Sequence, residues 1–591
     1  MKKFTFCLIT VLICLSIISC KKNNTGVPDI DPPGVTDADF AKNFGNVAHR
    51  DFIGQIVDVT NNPIPGATIK IGASTTQTDA NGIFVVKNAS VYDRFAFITA
   101  TKAGYLIGSR TLVPTTGTNQ VKIMLLPAAA GATVNTGTTS TVSLANGAKI
   151  VFDGAFKTEA GSTYNGVVSV IANYLDPSDT KLTYKMPGML FAKNTNGDPK
   201  LLETYGMLNI ELRGSANENL QLANTAQIEF PVATAQQANA PSTIPLWHFD
   251  ETAGYWKEEG TATKIGNKYV GTVKHFSWWN FDTQLSSVYL SLKLVDANNQ
   301  PLPNMTTIMV RQGNSSSYPN STDNNGQASG LVPQNETLTL NVLNACGSII
   351  HTQSVGPLST NTTLPTIVIN SPTIQLTTVS GTLKKCNNNN VTNGYVYYSY
   401  AGNNYFSLIS NGTFSFQALM CSPTFTMIGQ DLDNNSNSGM LGFSFSPGVT
   451  NVGNLTTCNT NLESITYSVD NGALKTISAN ITAAVNGNSF NISGSTPAQL
   501  DGITISGNSI SPGNYTTASG FQLYGNGLNS QPNQALTQFA ISYNLNNVGA
   551  VGQYIDISFS GTYVEMVMTG NMMGYNVNHT ITGTAHVIRD N

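Results

Sequence analysis

Charge is what this chain has least of. Lys, Arg, Asp and Glu make up 10% of its 591 residues, against about 25% in an ordinary soluble domain. The 29 basic and 33 acidic side chains nearly cancel, to a net charge of −4. The basic ones form no cluster or stripe, so there is no surface to neutralise a phosphate backbone, and nucleic acid is excluded as a partner. Six His and scattered carboxylates leave little material for acid–base chemistry. Helix formers such as Glu and Lys are scarce, which argues against a helical protein. Beyond the first twenty residues no apolar run approaches the roughly 18 residues of a membrane-crossing helix.

Asn, Thr, Ser and Gly fill the space that charge leaves. Asn alone, at 66 residues, outnumbers the 62 charged side chains together. Hydrophobic residues reach 40%, enough to build cores. At about 100–200 residues per domain the length predicts roughly three to six domains. Turn signals recur every 8–12 residues or so, between short runs such as Gly166-Val167-Val168-Ser169-Val170-Ile171-Ala172 and Tyr395-Val396-Tyr397-Tyr398-Ser399-Tyr400. Asn81-Gly82, Asn325-Gly326 and Asn411-Gly412 supply the positive φ of tight hairpins. The expectation is an all-β chain of tandem β-sandwiches.

The N-terminus carries an address. Lys2 and Lys3 precede an apolar stretch from Phe4 to Ile18, the length of a signal h-region. It ends Ile17-Ile18-Ser19-Cys20, which resembles a bacterial lipobox. The resemblance implies cleavage before Cys20, lipidation of that cysteine, and attachment to a membrane through the lipid alone. Residues 20–50, with Pro28, Pro32 and Pro33, read as a tether. No Asp follows Cys20, so nothing points to inner-membrane retention. The expected location is the outer membrane, on the cell surface or the periplasmic face.

An internal repeat organises much of the rest. Its first copy has Asp58, then Asn62-Pro63-Ile64-Pro65-Gly66, then Thr78-Asp79-Ala80-Asn81-Gly82. The second has Asp296, then Gln300-Pro301-Leu302-Pro303, then Thr322-Asp323-Asn324-Asn325-Gly326. A looser third copy has Ser380-Gly381-Thr382-Leu383 and Ser410-Asn411-Gly412-Thr413-Phe414. These residues resemble the carboxypeptidase regulatory-like domain. That implies transthyretin-like sandwiches of seven strands, an accessory module without catalytic residues. Between the first two copies lie Tyr205-Gly206-Met207-Leu208-Asn209, Ile244-Pro245-Leu246-Trp247-His248-Phe249-Asp250, Gly254-Tyr255-Trp256-Lys257-Glu258-Glu259-Gly260 and His275-Phe276-Ser277-Trp278-Trp279-Asn280. This series resembles the extracellular region of the cartilage intermediate layer protein family, and implies a surface or matrix module of β structure. Together the signals divide the chain into a signal peptide (1–19), lipidated tether (20–50), first sandwich (51–128), Trp-rich central domain (129–283), second sandwich (284–371), third sandwich (372–459) and a C-terminal β domain (460–591). The lipoprotein features resemble those of Bacteroidetes-like bacteria.

Candidate sites are few. Trp247, Tyr255, Trp256, Tyr269, Trp278 and Trp279 offer flat rings that stack on sugars or side chains, and equally fill a core. Strand alternation points Trp278 and Trp279 in opposite directions, so either both faces are covered by protein or one ring is exposed. His248 and His275 flank the cluster and can be read as catalytic, with Asp250 or Glu258 as the acidic partner, but no G-x-S-x-G motif accompanies them, and strand-end histidines in hydrogen bonds are the plainer reading. Asp431, Asp433 and Asn435 place oxygens at alternate positions, as in the first half of a calcium loop, although Gly442 stands where such a loop needs Glu. Calcium is the one cofactor this pattern allows. The four-Asn run at 387–390 reads as a solvated loop. Cys346, Cys386, Cys421 and Cys458 form an even set in an exported chain and read as disulfides in any of three pairings, without zinc-ligand spacing. The reading that emerges is a non-enzymatic, lipid-anchored scaffold that binds or adheres to a glycan or a surface or matrix protein. Its alternatives are a carbohydrate-binding accessory of a glycan-uptake system and, last, a hydrolase.

Overall fold

The computed structural model describes residues 37–591 apart from 312–318, 371–374, 435, 459–462, 471–474, 478–479, 497–500, 526–537, 550, 552–553 and 569–573. Strands account for 61% and helix for 3%, and no helix among the described residues is longer than four residues. None is long and apolar enough to cross a membrane. The architecture is a set of tandem β-sandwiches around one large central sheet.

The three repeat copies share one topology. In the first, the strand Val47–Val57 pairs antiparallel with Ile83–Tyr92 and parallel with Asn119–Met124. A second sheet of four strands, Ser74–Gln77, Thr68–Ile71, Ala96–Thr101 and Gly108–Leu112, covers it. The second copy repeats this with Ser287–Val295 between Gln327–Pro333 and the short parallel strands Thr362–Thr363 and Ile367–Val368. The third does so with Leu376–Lys385 between Thr413–Leu419 and Gly448–Thr457.

The repeated sequence has a physical reason. Asp79 Oδ1 accepts from the N–H groups of Asn81 and Ile83 at 2.9 Å, and Asp323 Oδ1 from those of Asn325 and Gln327 at 2.8 Å. Gly82 and Gly326 sit at φ 68° and 73°, and a Cβ at either would strike a carbonyl oxygen, of Ile56 or of Leu294, at 2.5 or 2.4 Å. The threonine before each aspartate is buried. Thr78 Oγ1 donates to Ile64 O at 2.7 Å and accepts from Ala67 N at 2.8 Å. Thr322 Oγ1 donates to Leu302 O at 2.6 Å and accepts from Met305 N at 3.0 Å. One hydroxyl in each copy thus fastens the proline loop to the hairpin. Thr78→Val and Thr322→Val keep the shape but strand a donor and an acceptor. Each is expected to cost about 1–3 kcal/mol in chemical denaturation.

In the central domain fourteen strands form one wrapped sheet. Its middle strands, Pro199–Arg213, Trp278–Leu285 and Thr243–Asp250, are adjacent and covered on both faces. One face looks into the domain's own core, with Leu208, Ile210, Trp279 and Phe281. The other packs Met207, Trp247, Trp256 and Trp278 against Leu106 and Leu126 of the first sandwich. The C-terminal domain is a further sandwich, with a six-stranded and a four-stranded sheet closed over Ile465, Phe490, Leu523, Ile557 and Val587.

The folded body begins earlier than expected. Residues 37–50, placed with the tether by the sequence, are folded: Asp37–Phe40 is a helical turn, Ala41–Phe44 a 3-10 turn, and Val47 starts a strand. Proline-containing composition ends before Asp37, and two phenylalanines then supply a docking face. Phe40 and Phe44 are buried against Phe95 of the first sandwich and Phe191 and Tyr255 of the central domain, with Leu331 of the second sandwich at the rim.

Candidate functional site

None of the six aromatic residues forms a platform. Trp247, Trp256, Tyr269 and Trp279 are 0% exposed, and Tyr255 and Trp278 only 2%. They lie in three separate cores: Trp247, Trp256 and Trp278 in one, Tyr269 and Trp279 in another, and Tyr255 in the N-terminal cluster. Their polar atoms mostly serve the fold. Trp247 Nε1 donates to Asp282 O at 3.1 Å, Trp279 Nε1 to His275 O at 3.1 Å, and the Tyr269 hydroxyl to Pro241 O at 2.7 Å. The ligand-surface reading of these rings is corrected: Trp278 and Trp279 do point to opposite faces, and protein covers both.

The histidines beside them come together. His248 lies mid-strand, opposite Lys257 on one side and Trp279 on the other. Alternation places Glu259, two residues beyond Lys257, on the same face as His248, and Glu258 on the other. Glu258 instead accepts from Thr195 N at 3.0 Å, and Asp250 pairs with Lys257 at 3.0 Å. The acidic partner is therefore Glu259, not Asp250 or Glu258. Its Oε2 lies 3.0 Å from His275 Nε2 and 3.7 Å from His248 Nε2. The two imidazoles stand perpendicular with centroids 5.0 Å apart, and Trp279 walls the group. A bulge aids the approach, since Pro245 faces Thr261 and Trp247 faces Glu258, which leaves Glu259 and Gly260 against Leu246 alone.

The oxygen-rich loop is occupied by the protein's own donors. Asp431 is fully buried, and Lys385 Nζ lies 3.8 Å from a carboxylate oxygen of both Asp431 and Asp433. Asn434 Nδ2 donates to Asp431 at 2.7 Å and Asn393 Nδ2 to Asp433 at 2.8 Å. Asn435 lies outside the described residues, as does Cys20. The other four cysteines pair as Cys346–Cys421 and Cys386–Cys458. The second pair closes the third sandwich, and the first joins the second sandwich to the third.

Contacts between the sandwiches are the most developed feature, and sequence reading missed them. The turn aspartates use their free oxygen outward. Asp323 Oδ2 accepts from Gly117 N of the first sandwich at 2.9 Å, and Asn324 Oδ1 from Thr118 N at 2.9 Å. Asp79 Oδ2 accepts from the hydroxyl of Tyr395 in the third sandwich. Tyr395 is fully buried there, between Ile53 and Ile83. Asn304 of the second sandwich bridges to Gln120 of the first at 2.8 Å and Tyr398 of the third at 3.1 Å. Arg311 forks onto Glu336 at 2.7 and 2.9 Å and reaches Glu203 of the central domain at 2.7 Å. The sandwiches form an interlocked hub, with the first copy touching the other two.

Burial raises the Asp79 carboxyl above its usual 3.8 against the hydrogen bonds from Tyr395 and its own turn. The folded chain then holds that proton more tightly than the unfolded chain. This contribution to stability is complete below pH 3.8 or so and is lost as pH climbs through the raised value. Asp79→Asn is expected to flatten that part of the stability–pH curve, measured by urea denaturation between mildly acidic and neutral pH.

Two surfaces remain. The N-terminal turn seats at the junction of three domains. Asp37 meets Lys193 at 3.2 Å, Lys257 at 3.1 Å and the Tyr255 hydroxyl at 3.0 Å. Burial works to raise its carboxyl, but the Lys257 charge and the hydrogen bonds hold it below the usual range. Asn43 O accepts from the Tyr289 hydroxyl of the second sandwich at 3.2 Å. On the C-terminal domain a groove of about 600 Å³ runs over Thr466, Asn514, Ser542, Asn544, Ser558, Ser560, Thr582 and Thr584, while Tyr515 and Tyr543, which alternate with these residues along their strands, turn toward the core. Cross-strand register aligns Asn514, Asn544, Ser558, Thr584 and Thr466 in one row, and Ser542, Ser560 and Thr582 in the next.

Fold and sites together define an all-β protein of interlocked tandem sandwiches. No model of a known protein family matches the chain. Part of it is similar to human cartilage intermediate layer protein 2, at 28% identity over 123 residues, 20% of this chain and 10% of that protein. Human cartilage intermediate layer protein 1 matches at 26% over 106 residues, 18% of this chain and 9% of that protein. The chain thus spans about a tenth of the length of these relatives. Among solved structures, the Bacillus anthracis TIE protein covers 69% of this chain and 50% of its own length at 8% identity, with a TM-score of 0.14. The major pilin BcpA of Bacillus cereus covers 70% of this chain and 100% of its own at 10% identity, with a TM-score of 0.11.

Proposed function

We propose that this chain is a non-enzymatic scaffold of the bacterial cell surface, held by a lipid on Cys20 and presenting its C-terminal domain to a partner. The observation that supports it most is the seat of residues 37–44. The segment that continues from the proposed tether does not end on a single bead. It is clamped by aromatic packing and by Asp37 where the first sandwich, the central domain and the second sandwich meet. A pull on the tether is then delivered to the hub as a whole. The disulfide between the second and third sandwiches carries that load onward. Matrix-type relatives, similar over a fifth of the chain, are in keeping with an adhesive role. The test is adhesion of bacteria that display the chain, under flow. Cys20→Ser should release it from the membrane fraction and abolish attachment. Attachment that persists in that variant would overturn the reading.

The C-terminal groove favours a second reading, a carbohydrate-binding accessory lipoprotein. Rows of largely exposed Ser, Thr and Asn on the outer face of the six-stranded sheet offer hydroxyl and amide partners of the kind sugars use. A glycan array probed with the purified chain, and with Ser560→Leu and Thr582→Leu variants, decides it. Binding lost in the variants supports the sugar reading, and an empty array removes it.

A further inference from the structure

We propose that His248, Glu259 and His275 form a binding site for one zinc-class divalent cation, with a fourth coordination position open to solvent. The three ligand atoms lie within 4.8 Å of one another. A tetrahedral ion with bonds of about 2.0–2.1 Å sets its ligands roughly 3.3–3.4 Å apart. The Glu259 oxygen stands 3.0 Å from one imidazole nitrogen and 3.7 Å from the other, values on either side of that spacing. All three atoms lie within 4.8 Å of one another, so side-chain rotation that draws them to that spacing would place them on one ion.

The surrounding structure holds the ligands in place. His248 is fixed on a strand paired on both sides. His275 is fixed through its backbone, since its carbonyl accepts from Trp279 Nε1 and the adjacent Phe276 N donates to Gln221 at 3.1 Å. Glu259 is set by the bulge. Trp279 packs against both imidazoles, while the side chains of His275 and Glu259 remain 24% and 33% exposed. On that more exposed side a water or a donor from a docking partner completes the coordination. Lys257, the cross-strand neighbour of His248, directs its ammonium to Asp37 and Asp250, so its charge is balanced away from the cluster.

Two imidazoles and one carboxylate select the class of ion. Imidazole suits zinc and its transition-metal neighbours, whereas calcium and magnesium take all-oxygen shells. An unmetallated Glu–His pair uses the same hydrogen bond, and it needs only one histidine. The convergence of the second imidazole on the same oxygen is what points to an ion.

The purified full chain, stripped with a chelator, is titrated with Zn²⁺ alone and with Zn²⁺ in excess Ca²⁺ and Mg²⁺, by calorimetry and by metal content. One Zn²⁺ per chain, not displaced by Ca²⁺ or Mg²⁺, is expected. Glu259→Gln and His275→Ala change partly exposed side chains, and metal-free melting curves show whether each variant is folded. In a folded variant the affinity should fall by more than the about 10–100-fold that loss of an outer-sphere partner costs. A chain that takes up no Zn²⁺, folded variants that bind as the parent does, or equal binding of Ca²⁺ would each overturn the proposal.

Discussion

Replacing Trp279 by Ala is expected to cost about 3–5 kcal/mol of stability, and Trp278→Ala a similar amount from the opposite side of the same strand. Each ring is almost fully enclosed, and each removal leaves a cavity that the paired strands cannot close. Trp279 also holds the His275 turn through its indole N–H, so its loss takes the hydrogen-bond donor from the part-buried His275 carbonyl in addition. Trp278 instead packs in the seam between the central domain and the first sandwich, so Trp278→Ala should loosen that seam as well. Guanidinium denaturation followed by tryptophan fluorescence measures both. A ligand platform makes the opposite forecast, with stability kept and binding lost. Variants that melt like the parent while losing a glycan or protein partner would return these rings to the surface.

Much of the fold was legible because turns are local. Thr-Asp-x-Asn-Gly states its hairpin in five residues, since Asp caps the turn and Gly takes the positive φ, and both effects act within the segment itself. Alternation likewise announced that Trp278 and Trp279 face opposite ways. What alternation does not state is what lies beyond each face, because that depends on residues a hundred or more positions away. The covering of Trp278 by Leu106 and Leu126 is such a case. So is the second oxygen of each turn aspartate, committed to Tyr395 or to Gly117 in another domain. The choice of Glu259 over Glu258 turns on one pairing, because Glu259 shares a face with Lys257, the cross-strand neighbour of His248. The register that makes Lys257 that neighbour comes from the hairpin between the two strands, and the sequence alone does not count it. The docking of Phe40 and Phe44 was hidden for another reason: two aromatics in a short polar segment form no periodic pattern.

The two disulfides separate local stability from the integrity of the hub. Their loops are nearly equal, with sequence separations of 75 and 72 residues, so chain entropy assigns each about 4–5 kcal/mol. Their places in the fold differ. Cys386–Cys458 ties the ends of two parallel neighbours, Leu376–Lys385 and Gly448–Thr457, within the third sandwich. Cys346–Cys421 crosses between sandwiches, beside a reciprocal exchange of side chains in which Ala345 enters the core of the third and Leu419 that of the second. The double variant Cys386→Ser/Cys458→Ser should therefore melt earlier while the folded molecule keeps its dimensions. Cys346→Ser/Cys421→Ser should lose similar stability and also let the second and third sandwiches part, because only non-covalent contacts are left at that joint: Ala345, Leu419, the bond from Asn403 to Ala345 O at 2.8 Å and that from Asn304 to the Tyr398 hydroxyl at 3.1 Å. Small-angle scattering below the melting transition reads the difference as a larger radius of gyration in the second variant only. Equal dimensions in both would mean that the buried tyrosine and the turn aspartates suffice to hold the hub, and that the bond between sandwiches carries no load.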